Sequence, residues 1–269
     1  MIASNEIDFA YVKLELDSLA EKYEHPSFFI GRDPITIPHM FHNKKDIELV
    51  AFLTSIISWG LREAIIAKAQ ILMSLLGSHP YDFVVNASDT DFQALEAKLI
   101  NHSSAKGYFY RTLKTPCLIS IIKALQIAYR ERGDIETFFE KERYDESLIE
   151  RMTRFYSFIR SQVPQEAHSS LSSMENSAGK RANMFLRWMV RSSARGVDFG
   201  LWKSVDSAEL YLPLDVHSSN TARSFGLTTR KTNDTRTVLE ITSILSKLCP
   251  ADPAKYDFAL FGKGIEEKN

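Results

Sequence analysis

An all-α fold is what this sequence predicts, and three observations carry the expectation. Apolar residues recur at helical spacing. Between residues 45 and 59 they fall at Ile47, Leu49, Val50, Phe52, Leu53, Ile56 and Ile57, a broad face of one helix. Glycine and proline punctuate the chain where such patterns stop and start, at Gly77, Pro80, Pro116 and Gly133. No segment offers successive β-branched alternating runs joined by hairpin turns.

The elements follow in order. After the helix over 45–59, residues 63–76 form a second, stopped by Gly77 and Pro80. Residues 91–101 are a third. Pro116 suits the first turn of the next helix, where a missing N–H costs nothing, and that helix runs to about Arg132 before Gly133. Residues 134–141 and 147–162 continue the series. The clearest break is 163–179, where Pro164 and the stretch SSLSSMENSAG are loop chemistry. Helices resume at 180–191, 219–225, 234–248 and 253–262. The sequence carries no internal repeat of solenoid period.

At 269 residues the chain can bury one large core or two modest ones. Its hydrophobic share of 44% is that of a globular protein. A formal net charge of −1 gives no global basic signature for nucleic acid. Phosphate contacts need only a local patch, however, and Lys180, Arg181, Arg187, Arg191 and Arg195 form a local excess of positive charge. Two cysteines, Cys117 and Cys249, are too few for a four-cysteine iron-sulfur or zinc site. Neither a cofactor nor a metal is expected. No apolar run reaches membrane-spanning length, and the N-terminus lacks the apolar core of a signal peptide. The expectation is a cytoplasmic protein with free thiols.

Two segments carry chemistry. The first is GKRANMFLRWMVR from Gly179 to Arg191, with Lys180 at the head of a helical pattern. The second is Leu212-Pro213-Leu214-Asp215-Val216-His217. An amine and a carboxylate that converge can displace a group at a sugar carbon. The carboxylate stabilises a cation-like transition state in a dry site. A neutral amine captures C1′ as a Schiff base, which permits β-elimination of the 3′ phosphate. A free lysine has a pKa of ~10.4, so such a nucleophile must be desolvated or set near other cations, and Arg181 is adjacent. A carboxylate that stays ionised sits well at a helix N-terminus, and Ser218-Ser219 after Asp215 fit one. Taken singly, a lysine and an aspartate in such places are ordinary solvated charges.

These residues resemble the helix-hairpin-helix DNA glycosylase superfamily, and within it a bacterial branch of the 8-oxoguanine DNA glycosylase/lyases. Lys180 matches the nucleophilic lysine, and 212–217 matches the Pro-hydrophobic-Asp-x-His stretch. The resemblance covers roughly residues 45–265 and is most specific after Ser170. It implies a two-domain helical fold with a cleft between the domains. One is a central helical domain at 45–165. The other combines 1–44 and 166–269 and contains the hairpin-like motif. It implies base-excision repair: removal of an oxidised purine such as 8-oxoguanine from double-stranded DNA, with AP lyase activity. The enzyme would be a monomer, associated with the nucleoid when bound to DNA. The two cysteines depart from the iron-sulfur branch related to endonuclease III.

The resemblance extends to further residues. The superfamily usually places a Gly-hydrophobic-Gly turn before the lysine, offering backbone amides to a DNA phosphate. Here Asn176-Ser177-Ala178-Gly179 keeps one glycine, so Gly179 and Arg181 are the DNA-contact candidates. His217 matches a histidine beside the catalytic aspartate, and equally fits a helix start with no ligand. Met184, one turn after Lys180, joins the substrate-binding candidates. Asp257 and Phe261 are i and i+4 and share a helix face. The resemblance implies that they line a pocket for a flipped purine. The ring would stack, and the carboxylate would accept from the N1–H and exocyclic amine of guanine. Phe258, Leu260 and Phe261 also fit a core.

In Ser58-Trp59-Gly60-Leu61-Arg62 the relatives carry Asn or Gln to fill the hole left by the base. Here Arg62 or Leu61 stands in that place, while Trp59-Gly60 also fits a core aromatic and a helix cap. Residues 106–111, KGYFYR, resemble a Gly-Tyr-Arg stretch that starts a helix. Trp188 and Trp202 are expected in the core. The alternative function is a non-catalytic helix-hairpin-helix protein binding damaged or structured DNA or RNA. Lys180 with Asp215 separates the two.

Overall fold

The computed structural model describes residues 8–175 and 177–267, and it is all-α, as the periodicity predicts. In chain order the first helices are α1 (Phe9–Tyr23), α2 (Pro26–Phe29), α3 (Lys44–Ile57), α4 (Arg62–Leu76), α5 (Pro80–Asn86) and α6 (Asp89–Ile100). A short antiparallel hairpin of β1 (Tyr108–Tyr110) and β2 (Leu113–Lys114) follows. Then come α7 (Thr115–Arg132), α8 (Leu148–Ser161), α9 (Lys180–Val190), α10 (Val216–Ser224), α11 (Thr235–Leu248) and α12 (Tyr256–Glu266).

Local chemistry explains the ends. Ser88 caps α6 and Ser147 caps α8, each in a reciprocal box with an acidic residue three positions on, Asp91 and Glu150. Gly77 and Gly133 end α4 and α7 at φ 87° and 85°. Three expectations change. Residues 134–141 hold only a 3-10 turn, Glu136–Phe139. The 163–179 break contains another, Gln165–Leu171. Within residues 106–111, Tyr108–Tyr110 form a strand, not a helix start, and Arg111 follows at φ 50°.

The chain separates into two compact units. One comprises Met1–Phe28, Met174–Gly200 and Asp206–Asn269; the other comprises Phe29–Ser173 and Leu201–Val205. The second unit centres on α3, buried from Asp46 to Ile57. Its Glu48 is fully buried and accepts from the Ile135 amide at 2.9 Å and from Trp202 Nε1 at 2.7 Å. Trp202 lies against Phe139, and Glu136 accepts from the Lys203 and Ser204 amides. Arg151 Nη1 donates to the carbonyls of Phe139 and Ser204. Residues 201–205 are thus held in this unit by polar bonds rather than by periodic packing.

In the first unit α12 packs against both α1 and α10, and two glycines permit the approach. A Cβ at Gly262 would overlap the ring of Tyr23, and one at Gly264 would lie 2.8 Å from Thr221 Oγ1 and 3.0 Å from the His217 carbonyl. Tyr256 donates to Asp17 on α1 at 2.9 Å. No helix of the described residues is long and apolar enough to cross a membrane.

Burial pushes the Glu48 carboxyl up to about 7, despite its two donors. A carboxyl raised in the folded state stabilises the fold below its ordinary pKa of 4.5, and that contribution is lost as pH rises through about 7. Glu48→Gln should remove this dependence. Denaturant unfolding between pH 4.5 and 8 should show parent and variant curves converging toward acid by about 3 kcal/mol, 2.5 pH units at about 1.36 each. Parallel curves would mean that Glu48 does not titrate there.

Candidate functional site

The site residues of the first unit lie on three elements: Gly179, Lys180, Arg181 and Met184 at the head of α9, Asp215 and His217 at the start of α10, and Asp257 and Phe261 on α12. Gly179 precedes α9 in the left-handed conformation, φ 58° and ψ 27°, and no side chain caps the helix. The turn is tied locally: the Gly179 amide donates to Ser177 Oγ at 3.2 Å, and Asn183 Nδ2 donates to the Ala178 carbonyl at 3.2 Å. Asn176 lies outside the described residues. Lys180, the first helical residue, is half-buried, with its Nζ 3.3 Å from the sulfur of buried Met184. Arg181 follows, also half-buried.

Asp215 caps α10. Its Oδ1 accepts from the Ser218 amide at 2.9 Å, the arrangement that the Pro-hydrophobic-Asp stretch predicts for a helix start. Buried Leu212 and Leu214 flank Pro213, and the Leu212 amide donates to Thr242 Oγ1 at 3.2 Å, which fixes the strand-like approach to the cap. His217 donates from Nδ1 to the Gly264 carbonyl at 3.1 Å and meets the Phe261 ring edge-on at 6.4 Å. Both rings are half-buried.

Asp257 lies in the interior, 5% exposed. Its Oδ2 pairs with Arg187 Nη1, and its Oδ1 accepts from Ser218 Oγ at 3.4 Å. The pair opens a buried chain of charges. Arg187 Nε reaches Asp198 Oδ1 at 3.3 Å, and Asp198 Oδ2 lies 2.7 Å from Arg191 Nη1. Arg191 also contacts Glu24 at 2.8 Å and clamps Asp252 through Nε and Nη2. Both guanidinium groups lie over the Phe258 ring, at 4.4 and 5.0 Å. Burial drives the Asp257 carboxyl up to about 6. The negative charge of Asp215 adds to the rise, while Arg187 and Lys180 oppose it. Lys180 and Asp215 thus each act electrostatically on Asp257.

Two readings are corrected by this arrangement. The carboxylate expected to read a guanine edge is already engaged by Arg187 and Ser218. The basic patch is largely consumed: Arg187 and Arg191 are each 4% exposed and paired, and Arg195 is paired with Glu21. Residues 182–190 are buried without interruption, so α9 is an interior helix, not a basic face. The sequence carried a usable sign. Lys180, Met184, Arg187 and Arg191 fall on one helical stripe, so arginines on the face of the lysine have to find carboxylates.

In the second unit Arg62 opens α4, half-buried, next to Leu61, which is 73% exposed. Trp59 is 39% exposed, not a core aromatic. The guanidinium of Arg111 lies 3.8 Å from its ring centroid, and the Tyr110 hydroxyl donates to its carbonyl at 2.9 Å. Trp188 and Trp202 are buried as expected. Among the described residues no group of three or more His, Cys, Asp or Glu side chains is placed to hold a metal ion.

The chain belongs to the family described as Protein of unknown function (DUF2400), whose model matches residues 33–266. No curated protein and no solved structure matches it.

Arg187 is the keystone of the charge chain. Arg187→Met preserves much of the volume but leaves Asp198 and Asp257 buried without their common cation. Removing one partner of a buried pair costs about 3–5 kcal/mol, and chemical denaturation at pH 7.5 should show a loss of that size. A loss below about 1 kcal/mol would mean that water solvates these carboxylates.

Proposed function

We propose that this protein is a DNA base-excision glycosylase with an AP lyase step, acting on an oxidised purine such as 8-oxoguanine in double-stranded DNA. Lys180 is the nucleophile, and Asp215 is the carboxylate that stabilises the sugar cation. What supports the reading is that Lys180 opens α9, that Asp215 caps α10, and that the charge of each acts on buried Asp257. The match of their flanking sequence to the glycosylase/lyases adds to it.

In the reaction the C1′–N bond of the damaged nucleotide breaks, and its electron pair leaves with the base, which is protonated. The neutral Lys180 amine bonds to C1′, and ring opening gives a Schiff base. Loss of the C2′ proton then expels the 3′ phosphate by β-elimination. Asp215, held by the Ser218 amide at the positive end of α10, supplies negative charge to the cation-like stage.

Two features support a duplex as the partner. Gly179 and Arg181 stand at the N-terminal end of α9, the positive end of its helix dipole. Exposed Leu61, with Trp59 and Arg62 beside it, suits insertion into a base stack. Phe261 and His217 offer ring faces to an extruded base. The enzyme acts as a monomer in the cytoplasm, on nucleoid DNA.

The test is borohydride trapping on duplexes carrying a single 8-oxoguanine or an abasic site. The parent should form a covalent adduct and Lys180→Gln none. Asp215→Asn should slow single-turnover excision by about 10²–10³-fold with an unchanged Tm. An adduct that survives in Lys180→Gln would assign the chemistry to another amine. Tight binding without excision across a panel of oxidised, alkylated and deaminated bases would instead establish a non-catalytic DNA-binding protein.

A further inference from the structure

We infer that Asp257 is a positioning residue of this site: through Ser218 and Arg187 it ties the Asp215 cap and the Lys180 helix to a buried ion chain, and the charge of its pair with Arg187 is part of what Lys180 meets. The inference rests on the proposed roles of Lys180 and Asp215 for its catalytic meaning. Its physical content stands on the contacts themselves.

Ser218 bridges the two carboxylates. Its amide donates to Asp215 at 2.9 Å and its hydroxyl to Asp257 at 3.4 Å. One residue thus senses both acids, and a change at Asp257 reaches the cap of α10 through a single side chain. The other oxygen of Asp257 is held by Arg187, whose second partner is Asp198. Asp198 is shared with Arg191, and Arg191 is fixed by Glu24 at the end of α1 and by Asp252 before α12. Asp257 is therefore held directly by Ser218 and Arg187, and through Arg187 it is tied to Asp198 and Arg191.

The charged groups that face it are few. Arg187 and Lys180 approach from α9, and Asp215 from the start of α10. Asp198 stands behind Arg187; Glu24 and Asp252 stand behind Arg191. His217 is turned to the Gly264 carbonyl. On α12 itself, Lys263 and Glu266 are directed to partners at its far end. With Asp257 ionised, its pair with Arg187 is neutral toward Lys180. With Asp257 protonated, Arg187 presents an extra positive charge to the amine and relieves the repulsion on Asp215. Because the carboxyl titrates at about 6, this change of one unit charge falls just below neutral pH.

The experiment follows Lys180 directly in the DNA-free protein. With ¹³Cε-labelled lysine, the Lys180 resonance is identified by its loss in Lys180→Arg and followed from pH 4.5 to 8. The parent should show an inflection near pH 6, and Asp257→Asn should lack it while keeping a folded amide spectrum. A featureless parent titration overturns the inference, and so does an inflection that persists in Asp257→Asn. If Asp257→Asn does not fold, the parent titration decides alone. A second arm measures the pH profile of borohydride trapping on an abasic duplex. The same inflection should appear in the parent. Ser218→Ala, which retains both carboxylates, should keep the inflection but slow trapping about 10-fold. If the parent traps nothing while its Lys180 resonance still reports Asp257, the lyase reading falls and the electrostatic tie stands.

Discussion

The first unit depends on one constraint, that two arginines buried on an interior helix must each be matched by carboxylates. Arg187 and Arg191 sit one turn apart on α9, and they recruit Asp198 from the segment that follows, Glu24 from the end of α1, and Asp252 and Asp257 from before and within α12. Desolvating these ions cancels most of their mutual attraction, so the chain adds little net stability over an apolar core. What it does is select geometry. A hydrophobic contact tolerates sliding by a fraction of a turn. A guanidinium shared between two acids does not, because each displaced hydrogen bond strands a charge in a medium that cannot solvate it. The packing of α12 through Gly262 and Gly264 serves the same end, since backbone approach at those points leaves no slack for rotation.

That constraint governs the candidate chemistry. Of the positive charges that looked available to DNA, Arg187 and Arg191 are spent inside the protein, and Arg195 is paired with Glu21 at the surface. Burial is the main reason that the Asp257 carboxyl is pushed up to about 6 although it is paired with an arginine; Asp215 adds to the rise, and Arg187 is shared with Asp198. The pair is stabilised in position and yet poised in charge.

Much of the fold was legible in the sequence. Residues 45–59, with seven apolar positions at helical spacing, became α3; the stops at Gly77 and Gly133 and the helix start at Pro116 fell where they were read. The short elements were not legible. α5 is seven residues opened by Pro80, and the β1–β2 hairpin turns at Arg111 with φ 50°, a conformation that no composition rule assigns to arginine. At the site, the cap at Asp215 followed from local chemistry, because an N-cap needs only its own next three residues. The ion chain did not. Its partners are separated by up to 167 positions, and nothing in a stretch such as Asp252-Pro253 reveals that it will face Arg191. Long-range charge pairing is set by the packing of whole helices, which periodicity constrains only in rotation.

The engaged state of Asp257 changes how a base could be discriminated in the proposed reaction. A free buried carboxylate would reject bases lacking a donor edge, since leaving it unpaired costs a few kcal/mol, about 1–3 per lost bond. A carboxylate already held by Arg187 and Ser218 imposes no such penalty. Discrimination at this unit then falls to shape and stacking, with Phe261 and His217 set edge to face. Stacking is worth about 1–3 kcal/mol per base and is tolerant of base identity. Strong selectivity would need donors or acceptors from elsewhere, or would arise before chemistry, from the smaller cost of extruding a base that is already poorly paired. What the structure fixes here is the relation of two acids, Asp215 and Asp257, through the one Ser218 that donates to both.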